Sequence, residues 1–150
     1  MKTLLLIRHA QSSWDLPMED RFRPLTNKGG KAAKAMAEAS LQFLPDIYKI
    51  FSSPSKRTTE TAHIFSETAG YPEASIDYID ELYTFDGNQL EKTIRRLPNQ
   101  FSSSIIFGHN DAITNIVNKF GDQYIDTIPT AGLVILRFEQ TDWQEIKKGT

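Results

Sequence analysis

The sequence predicts an α/β protein, a three-layer α/β/α sandwich with a mostly parallel central sheet. Short aliphatic runs alternate with segments of helical period along the whole chain. The aliphatic runs are continuous, as in strands covered on both faces by helices. No internal repeat, low-complexity tract or long linker divides the 150 residues, so one domain spanning 1–150 is expected.

The elements follow in order. Thr3–Ile7 is the first strand, an unbroken aliphatic run. A polar loop with Pro17 and Pro24 leads to Thr26, which can cap a helix running to about Leu44, with Met36, Ser40 and Leu44 along one face. Pro45 ends that helix, and Ile47–Phe51 reads as the second strand. Ser53 or Ser55 starts a helix that Gly70 closes, with Thr58, Ala62, Phe65 and Ala69 on one stripe. Ser75–Ile79 is a weaker strand. Gln89–Leu97 is helical and stops at Pro98, and Ser104–Phe107 is another buried strand. A helix over Asp111–Phe120 is capped near Asn110 or Asp111 and stopped by Gly121. Gly132–Phe138 is the last long strand, with Trp143–Ile146 expected to pair beside it.

Composition removes several function classes. With no cysteine there is no disulfide, zinc–thiolate site, iron–sulfur cluster or thiol nucleophile. Seventeen basic against 19 acidic residues leave a net charge of −2, which offers nucleic acid no general field. The N-terminal apolar run stops at Arg8, so neither signal peptide nor membrane span fits; a soluble, cytoplasmic protein with no membrane partner is expected. Lys28-Gly29-Gly30-Lys31 lacks the phosphate-binding P-loop pattern, and a dinucleotide fingerprint is missing.

In such sheets, ligands bind beyond the carboxyl ends of the strands. Arg8 and His9 follow the first strand, Ser52, Ser53 and Arg57 the second, and Gly108, His109 and Asn110 the strand at 104–107. The last two groups open helices, whose N-terminal amides favour anions. Arginine offers a planar fork of donors to phosphate oxygens. One histidine with a neutral ring nitrogen can attack phosphorus, and a second, protonated, can stabilise charge on the equatorial oxygens. Phosphoryl transfer is the chemistry implied. His63, mid-helix, reads as a packing or surface residue, and Arg95-Arg96 as a solvated face. Asp111 beside two histidines suggests a metal only weakly, because the neighbouring arginines repel cations.

Arg8-His9-Ala10-Gln11-Ser12-Ser13-Trp14 resembles the Arg-His-Gly-Glu-Ser-x-Trp opening of the histidine phosphatase superfamily. Leu25-Thr26-x-x-Gly29, the stretch from Ser52 to Ala62 and Gly108-His109 resemble its later blocks, in family order. The short chain and Pro129-Thr130-Ala131 resemble the SixA-type phosphohistidine phosphatases. The resemblance implies a phosphoglycerate-mutase-like fold and a transiently phosphorylated His9. It also implies a phosphate pocket of Arg8, Arg57 and His109, with Ser12 among the substrate-binding residues, and no metal or other cofactor. The expected partner is a phosphohistidine-bearing protein or a small phosphorylated substrate, and phosphate or sulfate should occupy the pocket.

The departures sharpen the reading. Ala10 stands for the usual glycine and Gln11 for a glutamate. Asp15 would repel phosphate, so its side chain should turn outward or bind Arg21 or Arg23. Thr84 aligns with the glutamate that serves the family's mutases and phosphomonoesterases as general acid. An alkoxide leaving group needs that proton, whereas the imidazole of phosphohistidine can take one from solvent. The alternatives are a small-molecule phosphomonoesterase with Glu81 or Asp86 as acid, and a non-catalytic phospho-ligand-binding module.

Overall fold

A computed structural model describes residues 1–15 and 17–150. Five strands form one sheet in the order β3-β2-β4-β1-β5. They are β1 (Lys2–Arg8), β2 (Lys49–Ser52), β3 (Asp77–Tyr78), β4 (Ser103–Gly108) and β5 (Leu133–Phe138). The β1–β4, β2–β4 and β2–β3 pairs are parallel, and β5 runs antiparallel to β1. The helices are α1 (Asn27–Ser40), α2 (Lys56–Ala69), α3 (Gly87–Arg95) and α4 (Ala112–Phe120). Among the described residues, no helix is long and apolar enough to cross a membrane.

Side chains alternate across the sheet and give each face its own core. Leu5, Ile7, Ile50, Ile105 and Phe107 pack with Ala37 of α1 and Ala62 and Phe65 of α2. Leu4, Leu6, Phe51 and Ile106 pack on the other side with Leu90 and Ile94 of α3 and Ile113 and Val117 of α4. The unbroken aliphatic runs are thus central strands buried on both faces.

Several boundaries differ from the sequence reading. α1 stops at Ser40 and tightens into a 3-10 turn over Leu41–Phe43, not a helix to Leu44. Proline at 45 disfavours helical backbone at the residue before it, and Leu44 is extended. Ile47 is 81% exposed and β2 begins only at Lys49. β3 shrinks to Asp77–Tyr78, because a 3-10 turn over Glu73–Ser75 occupies the approach. Trp143–Glu145 is a 3-10 turn rather than a strand. The indole is fully buried, and its backbone N–H donates to the Asn99 side chain, not to β5.

Candidate active site

The register of the central strands assembles the site. Arg8 pairs with Gly108 across β1 and β4, and Ser52 pairs with Phe107 across β2 and β4. His9, Ser53 and His109 therefore leave three neighbouring strands at the same edge. The His9 and His109 ring centroids lie 5.4 Å apart. The loop after β1 is held firmly. His9 N donates to Gly108 O at 3.1 Å, and Ala10 N donates to Thr61 Oγ1 of α2 at 3.1 Å. Ala131 N–H is shared between the carbonyls of Arg8 and His9, with Ala131 at φ 59° in the left-handed region.

His9 is 8% exposed, and its Nδ1 lies 2.7 Å from the Ala10 carbonyl oxygen. A carbonyl only accepts, so Nδ1 carries the proton and Nε2 keeps its lone pair. Burial lowers the His9 pKa to about 4; Arg57, Arg8 and Arg23 push the same way, and the Ala10 hydrogen bond opposes them. His109 is 1% exposed, with Nε2 2.8 Å from Ser53 Oγ and Nδ1 3.4 Å from Arg57 Nη2. Burial, then Arg57 and His9, lowers its pKa to about 3. Enclosure beside Arg57 thus favours the neutral ring, against the protonated one expected from the sequence. Tyr83 and Phe85 cover it, with ring centroids at 5.2 and 5.4 Å.

Arg57 leaves the first turn of α2, which Ser55 caps by accepting from Thr58 N. The Arg57 side chain is 1% exposed. Arg8 donates from Nη1 to Ile128 O at 2.7 Å. The Nε atoms of both arginines are buried without a hydrogen-bond partner among the described residues. Buried donors of this kind are costly unless an anion takes them. Ser12 Oγ accepts from Arg23 Nη1 at 2.5 Å, which ties Ser12 to the loop before α1.

Asp15 is exposed, and the carboxylate that meets the arginines is Asp20 instead. Asp20 and Tyr83 are site residues that sequence reasoning missed. The signal for Asp20 was the acid–base spacing Asp20-x-x-Arg23, whose partners turned out to be Arg23 and Arg57. The expected acid candidates lie elsewhere. Glu81 lines a small cavity with Ile79, Thr93 and Arg96. Asp86 caps α3 by accepting from Asn88 N, and Thr84 Oγ1 accepts from Asp86 N. His63 is a surface residue of α2, paired with Glu67 and Glu73. Among the described residues, no three His, Asp or Glu side chains are placed to hold a metal ion.

The model of the histidine phosphatase superfamily, branch 1, matches residues 4–104, and the chain belongs to that superfamily. Its architecture is phosphoglycerate-mutase-like and SixA-like. An uncharacterised chloroplastic protein of Arabidopsis thaliana is 30% identical, over 96% of this chain and 70% of its own length. The protein histidine phosphatase SixA, solved in complex with tungstate, superposes with a TM-score of 0.79 at 20% identity, covering 99% of this chain and 92% of that one. A mycobacterial glucosyl-3-phosphoglycerate phosphatase, solved with VO3, gives a TM-score of 0.75 at 14% identity over 98% and 96% of the two chains. The family match ends before Gly108-His109, so the second histidine is placed by strand register.

Proposed function

We propose that the chain is a phosphatase that takes the phosphoryl group of phosphohistidine, carried on a protein, onto Nε2 of His9. One observation carries this reading: the Ala10 carbonyl fixes the Nδ1 proton of His9 and leaves the Nε2 lone pair beside Arg8 and Arg57, whose buried Nε donors have no partner among the described residues. In the first step a P–Nε2 bond to His9 forms as the P–N bond of the substrate breaks, and the leaving imidazole takes a proton from solvent. In the second, water attacks phosphorus, the P–Nε2 bond breaks and inorganic phosphate leaves. Arg8 and Arg57 hold the non-bridging oxygens throughout, His109 lies at the same anion seat, and no metal takes part.

Two features favour phosphohistidine over an alkyl phosphate. Asp20, the carboxylate hydrogen-bonded to Arg57, is held ionised and has no proton to give at neutral pH. Glu81 is exposed and lines a separate small cavity, and Asp86 caps α3. A groove of about 800 Å³ between α1 and α2 is lined by Leu25, Lys31, His63 and Ile64 and includes neither His9 nor His109. Exposed Trp14, Phe22 and Phe85 lie instead on the loops that carry the site, as suits docking to a protein surface.

The test is rapid mixing with a phosphohistidine protein labelled in phosphorus, followed by quenching. Acid-labile, alkali-stable label should appear on His9 and vanish in His9→Ala. Turnover with no label on any histidine would overturn the mechanism.

A further inference from the structure

We infer that Asp20 is the positioning residue of the site: it grips the end-on edge of the Arg57 guanidinium so that the side-on edge faces phosphate. The inference rests on Arg57 being a phosphate ligand, as proposed above. Arg57 Nη1 donates to the Asp20 carbonyl oxygen at 2.7 Å, and Nη2 donates to Asp20 Oδ2 at 2.9 Å. Backbone and side chain of one residue thus hold both terminal nitrogens. The other edge of a guanidinium presents Nε–H together with the second hydrogen of Nη2. Here Nε is buried and has no partner among the described residues, and Nη2 lies 3.4 Å from His109 Nδ1. That edge, with its Nε donor open and its Nη2 against His109, is therefore the one turned into the site.

Asp20 is itself held from several directions. Its Oδ1 accepts from Arg23 Nε at 3.2 Å and Nη2 at 3.0 Å, and its Oδ2 accepts from the Tyr83 hydroxyl. Arg23 in turn stacks on Trp14, 3.5 Å from the ring centroid, and donates to Ser12. One carboxylate thereby joins the loop before α1, the first turn of α2 and the loop carrying Tyr83. The alternative role for a carboxylate in this place is competition, in which Asp20 occupies the anion seat and must leave when phosphate arrives. The two roles predict opposite signs.

The experiment measures vanadate and phosphate affinity by titration calorimetry, and kcat and KM with an activated aryl phosphate. It compares the natural protein with Asp20→Asn, Asp20→Ala, Tyr83→Phe, Arg57→Ala and the Asp20→Asn/Arg57→Ala pair. Positioning predicts that Asp20→Asn and Asp20→Ala weaken vanadate and lower kcat by about tenfold to a hundredfold, with KM changed far less. Tyr83→Phe should move both the same way by a smaller factor. In the Arg57→Ala background, Asp20→Asn should change neither by more than about twofold. Tighter phosphate binding in Asp20→Asn, or an equal loss with and without Arg57, would overturn the assignment.

If the Asp20 variants do not fold, the natural protein still decides. Phosphate should shift the Arg57 Nε–H resonance strongly and leave the Asp20 carboxyl carbon in place. A displaced Asp20 carboxyl signal would overturn positioning alone. A natural protein that binds neither anion would overturn the phosphatase reading with it.

Discussion

Because the Ala10 carbonyl takes the Nδ1 proton of His9, the proposed nucleophile does not wait on a titration near neutrality. Its pKa of about 4 places the acidic limb of kcat/KM well below the usual histidine value of 6.5, once ionisation of the substrate's own phosphate is allowed for. A limb at 6.5 that moves with no substrate property would contradict that environment. The same shifts set a stability profile. With folded values near 4 and 3 for His9 and His109, the unfolded chain binds protons first as pH falls from 6.5. The stability tied to neutral imidazole is complete above 6.5 and declines steadily as pH drops through those values. His63, raised by Glu73 and Glu67, opposes this weakly from the surface, since its contribution is present below 6.5 and lost as pH rises through its folded value. Denaturant midpoints between pH 7 and 4.5 should therefore fall, and a flat or rising series would be inconsistent with buried neutral rings. Thr61 is a second residue-scale test. Its hydroxyl accepts from Ala10 N and donates to Arg57 O, so Thr61→Val leaves a buried N–H unpaired. A loss of about 1–3 kcal/mol is expected by chemical denaturation.

At the scale of elements, the two glycines that open α1 should behave oppositely. A Cβ on Gly29 would lie 2.2 Å from Gln11 O, whereas one on Gly30 meets nothing within 4 Å. Gly29→Ala should push α1 off the loop after β1 and cost about 1–3 kcal/mol or more, with activity lost alongside. Gly30→Ala should stabilise by about 0.5–1 kcal/mol through helix propensity, without touching turnover. Thermal melts and assays of the two variants check both signs. Ala131 is the reverse case. Its left-handed backbone costs an alanine about 1–2 kcal/mol, and glycine there would cost about 0.4–1 kcal/mol in unfolded-state entropy. Ala131→Gly is expected to be neutral or slightly stabilising, and Ala131→Val clearly destabilising. The sequence showed the cap at Thr26, narrowed the next to Ser53 or Ser55, of which the structure uses Ser55, and showed the stop at Gly70, since each is a local device. The end of α1 and the turn at Trp143 were not legible, because proline geometry and burial of one indole overrode the apolar pattern.

For the whole molecule, the proposed anion seat beside His9, where Asp20 is held ionised and no other acid hydrogen-bonds Arg57 among the described residues, predicts that leaving-group quality governs rate. Phosphohistidine and activated aryl phosphates should turn over, and alkyl phosphates should be slower by about 10²–10⁴-fold, chiefly in kcat. Chelator should leave activity unchanged. Fast alkyl ester hydrolysis that collapses in Glu81→Gln or Asp86→Asn would move the reading to a phosphomonoesterase. The sequence by itself determined the layered α/β architecture and pointed to Arg8, His9, Arg57 and His109 as candidates at one sheet edge, because burial on both faces and strand-to-helix turns leave local signatures. Only the tertiary structure decided that β5 runs antiparallel, that His109 is enclosed where burial disfavours its charged form, and that Asp20 rather than Asp15 meets the arginines. Those outcomes depend on charges and rings brought together from distant loops, and neither periodicity nor spacing along the chain records such meetings.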